Sequence, residues 1–435
     1  MRIIVMLPLV AVLVALGATT RAGERRGEPL PKGAPESVGI SSAGLARFSA
    51  HLHRNVAGNV ASGYVLMVAR NGKLVYTDAI GQRDREKKLP MTVDTRFRVM
   101  SMTKVVTTVA LLMLYEDGRF QLDDPVSRYL PEFASMRVFV RADPDGQIVT
   151  EPLKRPITFR HLLTHSSGLG YGAGYDRTTP LAKLWAGADF SALASGAEKM
   201  HLLASLPLYF QPGDSWRYSY AHDVLGYLVE AIAGVTLADF VDAHITRPLG
   251  MSHTGFYVPP AELSTLAKVY HHLPDGQLAE SEFAARTTPT QPPAFAAGGA
   301  GLISTAGDYL RFAQMLENGG RFEGRQYLSP ATIKLMTSNQ VPDDAQEKFW
   351  GSDSVGLGYG LGVSMIIDYR HSPMTSLNGD FTWGGALDTR WLASPASGLV
   401  AVLMVQSDPS GDSAPRRTYV DFFNLVYASL TQLDP

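Results

Sequence analysis

The chain has 435 residues, 45% hydrophobic and 18% charged, with 39 Lys and Arg against 41 Asp and Glu and a formal net charge of −2. At roughly 150 residues per unit it has room for two to three compact units, its apolar content excludes a disordered chain, and without a cationic surplus no nucleic-acid partner is expected. A cysteine count of 0 excludes disulfides, a thiolate nucleophile, a cysteine metal site and a lipid-modified N-terminal cysteine, leaving any chemistry to oxygen and nitrogen.

Residues 1–22 read as a secretory signal peptide. Arg2 supplies the positive start, Ile3 to Ala18 is an apolar run too short for the ~20 residues of a membrane span, and Thr20-Arg21-Ala22 offers small residues around a cut before Gly23. The expected mature protein is periplasmic or secreted and bacterial, with no membrane span after cleavage. Residues 23–37, rich in Arg, Glu, Pro and Gly, read as a linker.

Ser41-Ser42-Ala43-Gly44 then opens an amphipathic helix through His53. Asn71-Gly72 between the β-rich runs Tyr64–Arg70 and Lys73–Tyr76 predicts a hairpin with a primed two-residue turn. From Ser101 to Asp117 the pattern is helical and nearly all apolar, with Gly118 as the cap; its valines and threonines are mediocre helix formers, so burial must hold it. Turn clusters follow at 164–168 and 211–214, then a helix over Ala221–Ala233 closed by Gly234. Beyond Gly298-Gly299 strands are expected over Tyr359–Asp368, Phe381–Ala393 and Leu399–Gln406, and a last amphipathic helix over Tyr419–Leu430. Strands at both ends with helices between predict one α/β domain of α+β type, drawn from residues 38–105 and 296–435, with a helical domain of residues 106–295 inserted.

Three short stretches are candidates for chemistry. Ser101-Met102-Thr103-Lys104 places a hydroxyl and an ammonium at i and i+3 on one helix face, at a helix start where free N–H groups stabilise an oxyanion. Ser-x-x-Lys also arises by chance, but a lysine opening an apolar helix is costly to bury without a task. Tyr218, directly before the Ala221 helix, is a general base if an ammonium stabilises its phenolate, or else a core tyrosine with a satisfied hydroxyl. Trp383-Gly384-Gly385-Ala386 marks a close approach of backbone or ligand, with the Ala386 N–H as a second oxyanion donor; a bulge or tight packing explains the glycines equally well. His161 and His165 are i, i+4, but no glutamate follows His161 and no third ligand is evident, so they read as structural residues and no metal or other cofactor is expected. Gly-x-Ser-x-Gly and the phosphate-loop patterns are absent.

Taken in order, Phe97–Lys104, Ile157–Leu169, Tyr218–Gly226, Arg247–Met251, Gly298–Ala306 and Trp383-Gly384-Gly385 resemble the class C β-lactamase-related serine hydrolases, and within them the bacterial carboxylesterases with a β-lactamase fold. The resemblance spans about residues 35–430. It implies an antiparallel sheet flanked by helices with a helical domain across the cleft. It further implies Ser101 as nucleophile, Lys104 as the lysine that perturbs it, Tyr218 as the proton-relaying base, and the Ser101 and Ala386 N–H groups as the oxyanion hole. Two positions depart from the penicillin-recognising relatives: Tyr220 stands where they carry an asparagine, and Trp383-Gly384-Gly385 where they carry Lys-Thr-Gly. Losing an amide and a cation and gaining two aromatics favours uncharged, apolar acyl groups, with Tyr220, Trp383, Gly384 and Gly385 lining the substrate site. The expected partner is a small-molecule ester, with a β-lactam or a peptidoglycan peptide as the alternative, and whether Lys104 or Tyr218 takes the first proton stays open.

Overall fold

A computed structural model describes residues 30–172, 178–190, 193, 195–283, 289–341, 355–409 and 418–434, so the expected signal peptide lies outside the described residues. The linker reading of 23–37 is corrected over its described part. Leu30 is buried, Lys32 bridges Leu74, and Pro35–Val38 form a 3-10 turn that buries Val38. Leu30, Val38 and Ile40 anchor this stretch in the core, which outweighs its Pro and Gly content.

Asn71 and Gly72 both take positive φ, 52° and 71°, and join β1 (Gly63–Arg70) to β2 (Lys73–Asp84) with Arg70 opposite Lys73. With β3 (Leu89–Pro90), β4 (Leu357–Tyr359), β5 (Ser364–Ile366), β6 (Phe381–Gly384), β7 (Arg390–Ser394) and β8 (Leu399–Met404) they form one antiparallel sheet in the order β4-β5-β6-β7-β8-β1-β2-β3. Pairing of β1 with β8, from Val65 opposite Met404 to Arg70 opposite Leu399, closes the two ends of the chain into this sheet.

Two stretches expected as single strands are hairpins. Residues 359–368 fold back between β4 and β5 through Gly362 at φ 73°, and 381–393 fold back between β6 and β7 with Asp388 at φ 74°. Both turns interrupt largely apolar runs, in which a fold-back leaves no break in periodicity.

Helix α1 (Ser42–Ala57) outlasts its expected end at His53, with Ser41 accepting the Gly44 N–H as its cap. It packs against β2 and against the C-terminal helix, Thr418–Tyr427. Between Gly299 and the strand expected from Tyr359 lie two helices, Ala306–Glu317 and Pro330–Met336, that the pattern did not predict. The first is capped by Thr305, buries Tyr309, Leu310, Phe312, Ala313 and Leu316, and packs against β1, β7 and β8. Because β1 and β8 are buried along their whole length, both faces of the sheet are covered.

Between the sheet halves lie α2 (Thr103–Glu116), α3 (Gly196–Ser205) and α4 (Ala221–Ala233), with two small hairpins at Arg137–Pro152 and Tyr270–Glu280. A boundary at 105/106 would cut α2, which belongs with Ser101 as one continuous turn and helix. Val105, Val106, Thr107, Thr108 and Val109 are all buried, so packing against α4 compensates for weak helix propensity. Gly298 is threaded against that contact: a side chain there would begin 2.4 Å from the His222 carbonyl and 3.2 Å from the Gly226 Cα. Gly298→Ala is therefore expected to destabilise the fold by about 1–3 kcal/mol, visible as a lowered midpoint in denaturant unfolding; an unchanged midpoint would show that the helices part freely.

Candidate active site

The approach to Ser101 is tied down on both sides. Phe97–Arg98 pair with Ile303–Ser304, the Val99 N–H donates to Leu302 O at 3.1 Å, and the Leu302 N–H donates to Thr103 Oγ1 at 3.0 Å. Met100 then takes a left-handed conformation, φ 49°, which a methionine adopts only when its surroundings impose it. The chain turns there from strand into the Met100–Met102 3-10 turn and on into α2, presenting Ser101 at the helix start.

Three side chains meet at one atom. The Tyr218 hydroxyl donates to Ser101 Oγ at 2.7 Å and Lys104 Nζ donates to the same oxygen at 3.2 Å. Lys104 is fully buried, and its second partner is the Gly299 carbonyl at 2.7 Å. Nζ also lies 4.6 Å from the centre of the Tyr218 ring and 5.6 Å from that of Tyr171. Burial pushes the Lys104 ammonium down to about 7; Asp223 opposes that shift and Lys199 adds to it. Burial raises Tyr218 above the ordinary phenol value, against hydrogen bonds to Ser101 and the Trp383 indole that lower it. The phenol is therefore held protonated while the amine is poised to lose its proton near neutral pH, the reverse of an ionised tyrosine beside a charged lysine. A hydroxyl with a neutral amine on one side and a phenolic donor on the other can attack a carbonyl carbon and hand on its proton.

Tyr218 owes its place to the loop before it. His165 is left-handed, φ 56°, its carbonyl accepts the Arg217 N–H at 2.9 Å, and its Nδ1 shares a hydrogen bond with Ser219 Oγ at 3.0 Å. Its ring centre lies 4.7 Å from that of Tyr218. His161 instead caps the helix Phe159–Leu163, its Nδ1 accepting from the Thr158 N–H. Both histidines are thus structural: one orients the tyrosine, the other starts a helix.

Trp383 packs its ring 5.7 Å from that of Tyr218, and β6 runs beside the Ser101 turn. A side chain at Gly385 would begin 2.6 Å from the Val99 carbonyl, so the glycine is what lets this strand end approach the turn. Gly384 pairs with Arg390, whose guanidinium binds Asp388 and the Gly385 carbonyl and braces the turn that carries Ala386. Tyr220 packs against Tyr171 and Phe190, with ring centres 4.6 Å from each.

Sequence reasoning missed four contributors. The Gly299 carbonyl and Tyr171 carry no side-chain signal of their own. Asp223 and Lys199 form an ion pair at 3.1 Å beside the site, and only the Tyr-x-Tyr-x-x-Asp spacing at the start of α4 hinted at the first.

Known proteins resemble this chain over most of its length. Residues 48–424 match the β-lactamase family. An uncharacterized protein of Mycobacterium tuberculosis is 36% identical over 359 residues, covering 80% of this chain and 86% of its own. Esterase EstB of Burkholderia gladioli is 35% identical over 405 residues, covering 88% and 95%. The solved structure of EstCE1, described as a hydrolase with promiscuous acyltransferase activity, superposes with a TM-score of 0.73 at 29% identity, covering 88% of this chain and 99% of that one. The fold is accordingly of the β-lactamase and penicillin-binding-protein type. The chain belongs to the β-lactamase family of serine hydrolases, esterases and acyltransferases.

Proposed function

We propose that this protein is an exported serine carboxylesterase that cleaves short-chain acyl esters through an acyl-enzyme on Ser101. The observation that carries the reading is the meeting of the Tyr218 hydroxyl and Lys104 Nζ at Ser101 Oγ. Neutral Lys104 takes the Ser101 proton as Oγ attacks the ester carbonyl, and the backbone N–H groups of Ser101 and Ala386 hold the developing oxyanion. Tyr218 donates its proton to the departing alkoxide and regains one from Lys104, so the alcohol leaves neutral. Water then attacks the acyl-enzyme, its proton returns through the same pair to Ser101 Oγ, and the acid is released.

The preference for short uncharged acyl groups rests on the aromatic Tyr220 and Trp383, which stand where an amide and a cation would recognise an antibiotic. Export rests on the residue pattern of 1–22. The Tyr220 and Trp383 positions disfavour β-lactams and cell-wall peptides as main substrates. The nearby cations are also already engaged, Arg390 with Asp388 and Lys199 with Asp223, leaving neither to hold a substrate carboxylate. Purified protein should hydrolyse p-nitrophenyl butyrate with a kcat/KM at least about tenfold above that for nitrocefin and above that for a long-chain ester. A preference for nitrocefin would reverse the assignment to a β-lactamase.

A further inference from the structure

The Lys199–Asp223 pair stands out because it is nearly buried, with side chains 12% and 6% exposed, and because it abuts the Ser101 site. Burying an ion pair seldom improves stability over apolar residues of the same size, so packing alone does not account for it. Lys199 comes from α3 and Asp223 from the first turn of α4, where the positive end of the helix favours a carboxylate. Lys199 Nζ lies 5.2 Å from the ring centre of Tyr220 and 4.9 Å from that of Phe295, which shield the pair from solvent. On its other side Asp223 faces Lys104. A side chain at Gly299 would begin 2.8 Å from Asp223 Oδ2 and 3.4 Å from Lys104 Nζ, so the carboxylate and the amine flank one point, open because residue 299 is glycine.

We propose that Lys199 and Asp223 are positioning residues that set how readily Lys104 gives up its proton: Asp223 stands against the Lys104 ammonium, and Lys199 engages Asp223 so that the carboxylate does not hold that ammonium charged. Among the described residues, the other titratable groups around Lys104 are Tyr218, Tyr171, His165 and His222. Burial holds both histidines well below their ordinary value, so neither carries a compensating charge. Among the described residues, Asp223 is thus the anion that acts on the amine, and Lys199 is the counter-charge that limits it. Tyr220, kept as a phenol by burial and by Asp223, walls one side of this pair.

This role rests on Lys104 acting on Ser101, and the test separates the two. The acid limb of kcat/KM against pH for p-nitrophenyl butyrate is measured for the parent, Lys199→Met, Asp223→Asn and the double variant. Labelling of Ser101 by a fluorophosphonate is followed in parallel, in which Oγ displaces fluoride from phosphorus. Lys199→Met should move the limb up by about one pH unit, costing about tenfold at pH 6 with the alkaline plateau kept. Asp223→Asn should move it down, and the double variant should return it close to the parent. Asp223→Asn, which preserves size, carries the test alone if Lys199→Met fails to fold. Equal losses at every pH with unmoved limbs, in a protein whose Ser101→Ala variant is inactive, would overturn the tuning role while leaving the catalytic assignment standing. A Ser101→Ala variant that keeps its activity would overturn both.

Discussion

Ser101→Ala is expected to lower kcat/KM for a short acyl ester by at least about 10⁴-fold while leaving the unfolding midpoint nearly unchanged. The hydroxyl is small, lies on a turn fixed by backbone pairing of Phe97–Arg98 with Ile303–Ser304, and makes no contact on which the fold depends. What disappears is the atom on which Tyr218 and Lys104 converge. Residual turnover would come only from the oxyanion donors and substrate positioning. A loss below tenfold would mean that the ester bond is cleaved elsewhere.

Lys104→Met should be the second largest effect, and it should separate activity from stability. Methionine fills about the same space without an amine to desolvate, so the variant is expected to unfold at an equal or higher temperature. Its activity should fall by about 10³-fold, because no group remains to take the Ser101 proton. In the parent, the sign of the pH dependence follows from the same amine. It acts as a base only when neutral, and burial brings its pKa down to about 7, so kcat/KM should rise about tenfold per pH unit below 7 and level off above it. That limb should be missing from whatever activity Lys104→Met retains. A limb that persists near 7 in the variant would assign it to another group.

Much of this site was legible because its parts are local. Ser101 and Lys104 are one helical turn apart, so spacing alone puts hydroxyl and ammonium together, and a lysine in an otherwise apolar helix advertises its burden. Tyr218 was legible only through its motif and its place before α4, since 117 residues separate it from Ser101 and no local rule joins them. Its protonation was not legible for a related reason: an ammonium beside a phenol argues for the phenolate, whereas burial, which only the fold reveals, favours the neutral form of each group. The packing of Tyr220 against Tyr171, Phe190 and Lys199 was not legible, because these residues meet only in the folded chain. Asp223 and Lys199 were invisible as a pair because their elements meet only in the folded chain.

The sheet shows the same division. Asn71-Gly72 demands positive φ at both positions, so the β1–β2 hairpin could be read residue by residue. The hairpins at Gly362 and Asp388 lie inside apolar runs whose turns are set by pairing partners rather than by local chemistry. The helix Ala306–Glu317 was readable in principle, from Thr305 as cap and the spacing of Tyr309, Phe312, Ala313 and Leu316, but the double glycine before it pointed to strands.

The central claim is that one covalent acyl group forms on Ser101 and on no other side chain. Peptide mapping by mass spectrometry after brief mixing with a slowly hydrolysed acyl ester tests it most directly. A single acyl adduct is expected on the peptide carrying Ser101, absent from Ser101→Ala and much slower to form in Lys104→Met. Turnover without any adduct on Ser101, or an adduct on a different residue, would contradict it.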